Sequence, residues 1–153
     1  MTQSLVITEE MKKMIGVEHD PSYIEIEKEP IRRWADAIGD PNPLYHDEEY
    51  ARKLGYRSII APPSFLANYE YPVKASKFTK FPRITTRGLN SGNEYEFYKP
   101  VQAGDRIAKT LRVASIIERE GKLGKMIIVT SEFLFRNQDG ELVGIGRHIG
   151  IHY

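Results

Sequence analysis

The chain contains no cysteine, which excludes disulfides and thiolate chemistry and suits a reducing cytoplasm. It has no excess of either charge. Lys and Arg total 22 against 21 Asp and Glu, for a net charge of +1, so no strong basic field exists to neutralise phosphates, and nucleic acid is excluded as a partner. No stretch approaches the roughly 20 apolar residues of a membrane-spanning helix. The start, Met1 to Val6, lacks the basic and apolar regions of a signal peptide. Repeats, low-complexity tracts, linkers and a Walker sequence are all missing. Gly144-x-Gly146 is not followed by a helical pattern, so it is no dinucleotide loop. These absences point to a soluble cytoplasmic protein that uses no cofactor and contacts neither membrane nor nucleic acid. With 41% hydrophobic and 28% charged residues, a length of 153 residues fits one domain, 1–153, with a core of its own.

The first half reads as helices. Thr8 before Glu9 and Glu10 starts one, with Leu5, Ile7, Met11, Met14 and Ile15 forming an apolar stripe up to Gly16. Tyr23 to Glu27 alternates as a short strand. Pro30 suits a first helical position, and Ile31, Trp34, Ala35 and Ile38 recur at helical spacing as far as Gly39. Asp47-Glu48-Glu49 opens another helix running to Leu54-Gly55, and Ser64 to Tyr69 reads as a third, mostly apolar helix after Pro62-Pro63. The second half changes period. Leu89–Tyr98, Arg106–Ile117, Lys125–Phe135 and Glu141–Tyr153 are β-patterned, with turns at Glu120-Gly121-Lys122 and Asn137-Gln138-Asp139-Gly140. Helices first and an antiparallel meander second make the chain α+β, with the Ser64–Tyr69 helix as the natural cover for one sheet face.

Chemistry concentrates in Ile38 to Asp47, where an acid, an amide and an imidazole share one turn-rich connection. An Asp and a His that share a water can take a proton from one atom and deliver one to another, with no metal and no covalent nucleophile. The same residue types also suit plain turn chemistry: Asp40 and Asn42 beside two prolines form Asx turns, and His46-Asp47 precedes a helix. The remaining histidines offer less. His19-Asp20-Pro21 reads as a turn with a solvated His. His148 and His152, four apart on a strand, would lie about 13 Å apart, too far to share a metal. The small residues of that same face, Gly144, Gly146 and Gly150, suit a sheet that curves around a helix or admits another subunit.

Four stretches resemble the MaoC-like hydratases and dehydratases, in particular the FAS1-like dehydratase branch. They are Gly39-Asp40-Pro41-Asn42-Pro43-Leu44-Tyr45-His46-Asp47, Ile60-Ala61-Pro62-Pro63-Ser64-Phe65-Leu66, Glu94 to Asp105, and Asn137 to Val143. The resemblance implies a hot-dog fold, a curved antiparallel sheet wrapped around a central helix. It implies acyl-CoA or acyl-carrier-protein thioesters as substrates, reversible hydration of a 2-enoyl group to the (R)-3-hydroxyacyl product, and a homodimer or a hetero-oligomer with a second MaoC-like subunit.

Carried over from the signature Asp-x-Asn-Pro-Leu/Ile-His, Asp40 is the base, His46 shares the proton transfer, and Asn42 orients the loop or the water. Tyr45, Pro63 and Ser64 fall on the substrate. Tyr45 intervenes, so the His comes one residue later than in the signature. Pro62-Pro63 stands where the family uses a backbone N–H to polarise the thioester carbonyl, and proline has none, so the donor moves to Ser64 or beyond. Both departures also fit an alternative, a non-catalytic hot-dog subunit that shapes the acyl tunnel of a heteromeric dehydratase. Lys74, Lys77, Lys80 and Arg83, among Phe78 and Phe81, suit a coenzyme A phosphate, an acidic carrier protein or a solvated loop.

Overall fold

Alternating β-patterned runs at the end of the chain pair in sequence, and the first short strand returns to one edge. The structure, a computed structural model, describes residues 6–70, 85, 87–122 and 124–153. Among these, β1 (Ser22–Glu25), β2 (Gly88–Phe97), β3 (Arg106–Gly121), β4 (Gly124–Arg136) and β5 (Leu142–His152) form one antiparallel sheet in the order β1-β3-β4-β5-β2. The β3–β4 hairpin closes at Gly121↔Gly124, and Asn137–Gly140 closes β4–β5 with Gly140 at φ +77°. The Asn137 side chain accepts the amides of Asp139 and Glu141 there, the Asx chemistry that its position in the sequence announces.

Helices cover the sheet. α1 (Glu9–Met14) begins at Thr8, whose hydroxyl accepts the Met11 amide. α2 (Lys28–Ala37) begins two residues before the expected Pro30, which therefore occupies the third helical position. The first turn has free N–H groups, so a proline there loses no helical hydrogen bond. α3 (Glu48–Lys53) is capped by Asp47, which accepts the amides of Glu49 and Tyr50. The apolar helix after Pro62 is a 3-10 helix, η2 (Pro63–Tyr69), with Pro63 in its first turn and Phe65 and Leu66 buried. The basic residues Lys74, Lys77, Lys80 and Arg83 lie outside the described residues.

The main core joins α2, η2 and the inner sheet face: Ile31, Ala35, Phe65, Leu66, Leu111, Phe133, Phe135 and Val143 pack together. A second cluster sets Met11 of α1 on Val113, Ile116, Ile127 and Val129. The step from Val113 to Ile116 breaks strict alternation because a register shift between Val113 and Ser115 inserts one residue, moving the buried side from odd to even positions. His19 is buried, not solvated as its turn-like surroundings suggest, because its amide bonds the Leu111 carbonyl and draws the loop onto β3.

Glu132 is buried on the opposite face from Phe133, where Arg112 Nε and Arg147 Nε each donate to its carboxylate at 2.7 Å. Burial pushes that carboxyl up, yet the two guanidinium groups outweigh burial and hold it below the ordinary value. A carboxyl with a lowered folded pKa adds stability above its unfolded pKa and loses it as pH falls through the folded one. Glu132→Ala is therefore expected to cost roughly 2–4 kcal/mol at neutral pH, with the deficit shrinking in acid. Urea unfolding of both proteins at neutral and acid pH checks this.

Candidate active site

Gly39 at φ +69° ends α2 and turns the chain into the Asp40–Asn42 corner. Asp40 Oδ1 accepts the Asn42 amide at 3.1 Å, and Asn42 Oδ1 accepts the Leu44 amide at 3.0 Å, so two Asx contacts in series set the corner. Asn42 thereby caps a 3-10 turn, η1 (Pro43–Tyr45). In such a turn each residue advances by about 120°, so Tyr45 and His46 point apart.

Tyr45 points inward and is 7% exposed. Burial pushes its phenol above the usual value, the Asp40 charge pushes it further, and a hydrogen bond with Asn42 pulls back. Tyr45 is thus the side chain set beside the Asp40 carboxylate and the Asn42 amide. His46 turns the other way. Its Nε2 lies 3.3 Å from the main-chain oxygen of Asp40, and its Nδ1 lies 4.0 Å from the exposed carboxylate of Asp36. Among the described residues no hydrogen bond or ion pair joins His46 to the Asp40 carboxylate. Arg32 fixes this arrangement by donating through Nε and Nη2 to the His46 carbonyl, each at 3.3 Å.

Tyr45 opens onto a cavity of about 260 Å³. Pro63 and Leu66 line it from η2, Phe97 from β2, and Val143 from β5, with Ile60, Ala61, Pro62 and Val101 completing an apolar wall. Pro63 and Tyr45 therefore meet on the cavity wall, with Asp40 and Asn42 beside Tyr45. Ser64 is exposed, and its hydroxyl accepts the Trp34 indole N–H at 3.1 Å, which leaves its own proton to donate. Trp34 escaped sequence reading as anything but a stripe residue, since nothing local links position 34 to position 64.

Sequence reading also missed a second pair. Glu70, at the end of η2 and 3% exposed, has Oε2 2.6 Å from His148 Nε2 of β5. Parity puts His148 on the same face as Gly144, Gly146 and Gly150, but the chain gives no signal that a carboxylate 78 positions earlier meets it.

The family described as "FAS1-like, dehydratase domain region" matches residues 13–145. A UPF0336 protein of Streptomyces griseus is 36% identical over 126 residues, 80% of either chain. One from Mycobacterium tuberculosis is 32% identical over 126 residues, 80% of this chain and 77% of that protein. Among solved structures, the truncated HadBC (3R-hydroxyacyl-ACP dehydratase) complex of M. tuberculosis contains a chain with 28% identity and a TM-score of 0.71, over 91% of this chain and 97% of that one. The (R)-hydratase of A. caviae, at 18% identity and a TM-score of 0.67 over 89% of this chain and 94% of that one, shares the fold, which is the hot-dog fold.

Proposed function

The chain belongs to the FAS1-like dehydratase family, and we propose that it is the acyl-binding subunit of a hot-dog hydro-lyase that adds water reversibly to 2-enoyl thioesters, giving (R)-3-hydroxyacyl thioesters. The substrate is an acyl-CoA or acyl-carrier-protein thioester. A second MaoC-like subunit supplies the imidazole that moves the proton. In this reaction the hydroxyl of water adds to C3, a proton reaches C2, and the thioester oxygen gains negative charge in between.

The opposed aim of Tyr45 and His46 carries this reading. A general base must come within hydrogen-bond reach of its proton. The position beside the Asp40 carboxylate that opens on the cavity holds a phenol, which is neutral at ordinary pH and a poor base. Asp40 and Asn42 lie beside Tyr45, while the apolar wall from Ile60 to Leu66 suits an acyl chain. The outer strand β2 supports the second subunit. Among the described residues it is an edge strand of the sheet, and its Leu89 and Phe97 are 47% and 45% exposed, which suits a neighbouring chain. The likeness to a chain of the HadBC complex supports the same assignment.

A second reading keeps Asp40 as base, His46 as proton partner, Asn42 as orienter and Ser64 as thioester-oxygen donor in a chain active alone. It is favoured by the contact of the His46 ring with the Asp40 main chain. Assaying the purified chain on crotonyl- and longer enoyl-CoA, with Asp40→Asn and His46→Ala, separates the two. The expected result is negligible hydration by all three proteins. Turnover by the wild type that falls about 100-fold or more in both variants would establish the second reading and overturn the first.

A further inference from the structure

η2 lies along β5 on a track of two glycines. A Cβ on Gly144 would sit 3.7 Å from Leu66 Cδ1, and one on Gly146 would overlap Oε1 of Glu70. At the Gly144 end, Leu66 walls the apolar cavity against Phe97 and Val143. At the Gly146 end, Glu70 is held by His148 at 2.6 Å, by the Tyr95 hydroxyl of β2 at 3.3 Å, and through its main-chain oxygen by Lys109 Nζ of β3 at 3.1 Å. Four elements are thus tied together one turn beyond Leu66.

We propose that Glu70 and His148 form a latch that sets the acyl-chain length this subunit accepts. The proposal rests on the reading of the cavity as an acyl site. The pair holds η2 down on Gly144 and Gly146, so Leu66 ends the pocket at a fixed depth. Both are positioning residues, and neither lines the cavity that Tyr45 opens onto. The latch joins the end of η2 to β5 side chain to side chain, and a buried carboxylate deprived of that partner is driven toward water. Its departure lifts the end of η2, and Leu66 with it, and the pocket deepens.

The chain's one tryptophan reports on this without catalysis or a partner, because Trp34 donates to Ser64 at the other end of η2. Its emission is followed while saturated acyl-CoAs of increasing length, butanoyl to dodecanoyl, are titrated in. His148→Ala and Gly146→Ala, the second of which expels Glu70 without removing a polar partner, are expected to shift the ratio of butanoyl to dodecanoyl affinity about 10-fold toward the longer chain. Glu70→Gln, which retains a hydrogen-bonding group at the latch, is expected to keep the wild-type ratio. Should His148→Ala fail to fold, Gly146→Ala decides. An unchanged ratio, or equal loss of affinity for both lengths, overturns the latch while leaving the acyl site standing. Failure of the wild type to bind any acyl-CoA overturns the acyl site and the latch together.

Discussion

Mixed with a second hot-dog chain that carries an unbroken Asp-x-Asn-Pro-Leu/Ile-His segment, this chain is expected to support enoyl-thioester hydration at least about 100-fold faster than either chain alone, since placing a general base correctly contributes roughly 10²–10⁴-fold. The reason lies in η1. A 3-10 turn from Pro43 to Tyr45 aims the fifth side chain after Asp40 into the cavity and the sixth away from it. The imidazole is the sixth. Loss of absorbance of an enoyl-CoA on titrating one chain into the other checks the prediction, and saturation at a fixed ratio would report the composition of the assembly. Rates that merely add would sink it. Tyr45→Phe in the mixed enzyme should retain most of this gain, because the phenol serves as wall and not as base in the proposed arrangement.

Phe65→Ala should cause the largest loss of stability of any single change near the site. Phe65 is 2% exposed, sits in η2 and packs against Tyr69 in a tilted ring pair with centroids 5.2 Å apart, within the cluster that joins α2 to the inner face of the sheet. Removing a buried phenyl ring costs about 3–5 kcal/mol. For a domain of this size that amounts to a fall in melting temperature on the order of 10 °C. Because Phe65 anchors η2 in the core and Leu66 of the same helix lines the cavity, acyl-CoA binding should weaken with stability. Thermal unfolding followed by far-UV circular dichroism, with the acyl-CoA titration repeated below the transition, measures both. A melting temperature within 2–3 °C of the wild type would show that η2 packs less tightly than its burial indicates.

The readable part of this chain was its regular part. Four β-patterned runs became β2 to β5, and Asn137–Gly140 closed its hairpin, because period-2 alternation and turn residues act between near neighbours. Helix starts at Thr8 and Asp47 were equally plain, since a capping side chain bonds an amide two or three residues away. Pro30 misled by two positions because several early helical sites tolerate it. His19 misled more, since its turn-like neighbours say nothing of β3, onto which the loop folds.

Gly39 to His46 shows the division most clearly. The residues alone carried the family resemblance and the substrate class it implies, because a short run of Asp, Asn and Pro encodes its own turn through bonds between adjacent residues. The direction of the imidazole was decided only in the folded molecule. It depends on a 3-10 pitch, on Arg32 gripping the His46 carbonyl, and on a core that takes in Tyr45 in preference to His46. The Glu70–His148 pair belongs wholly to tertiary structure. No local rule relates residues 78 apart, and only the packing of η2 on two glycines brings that carboxylate and that ring together.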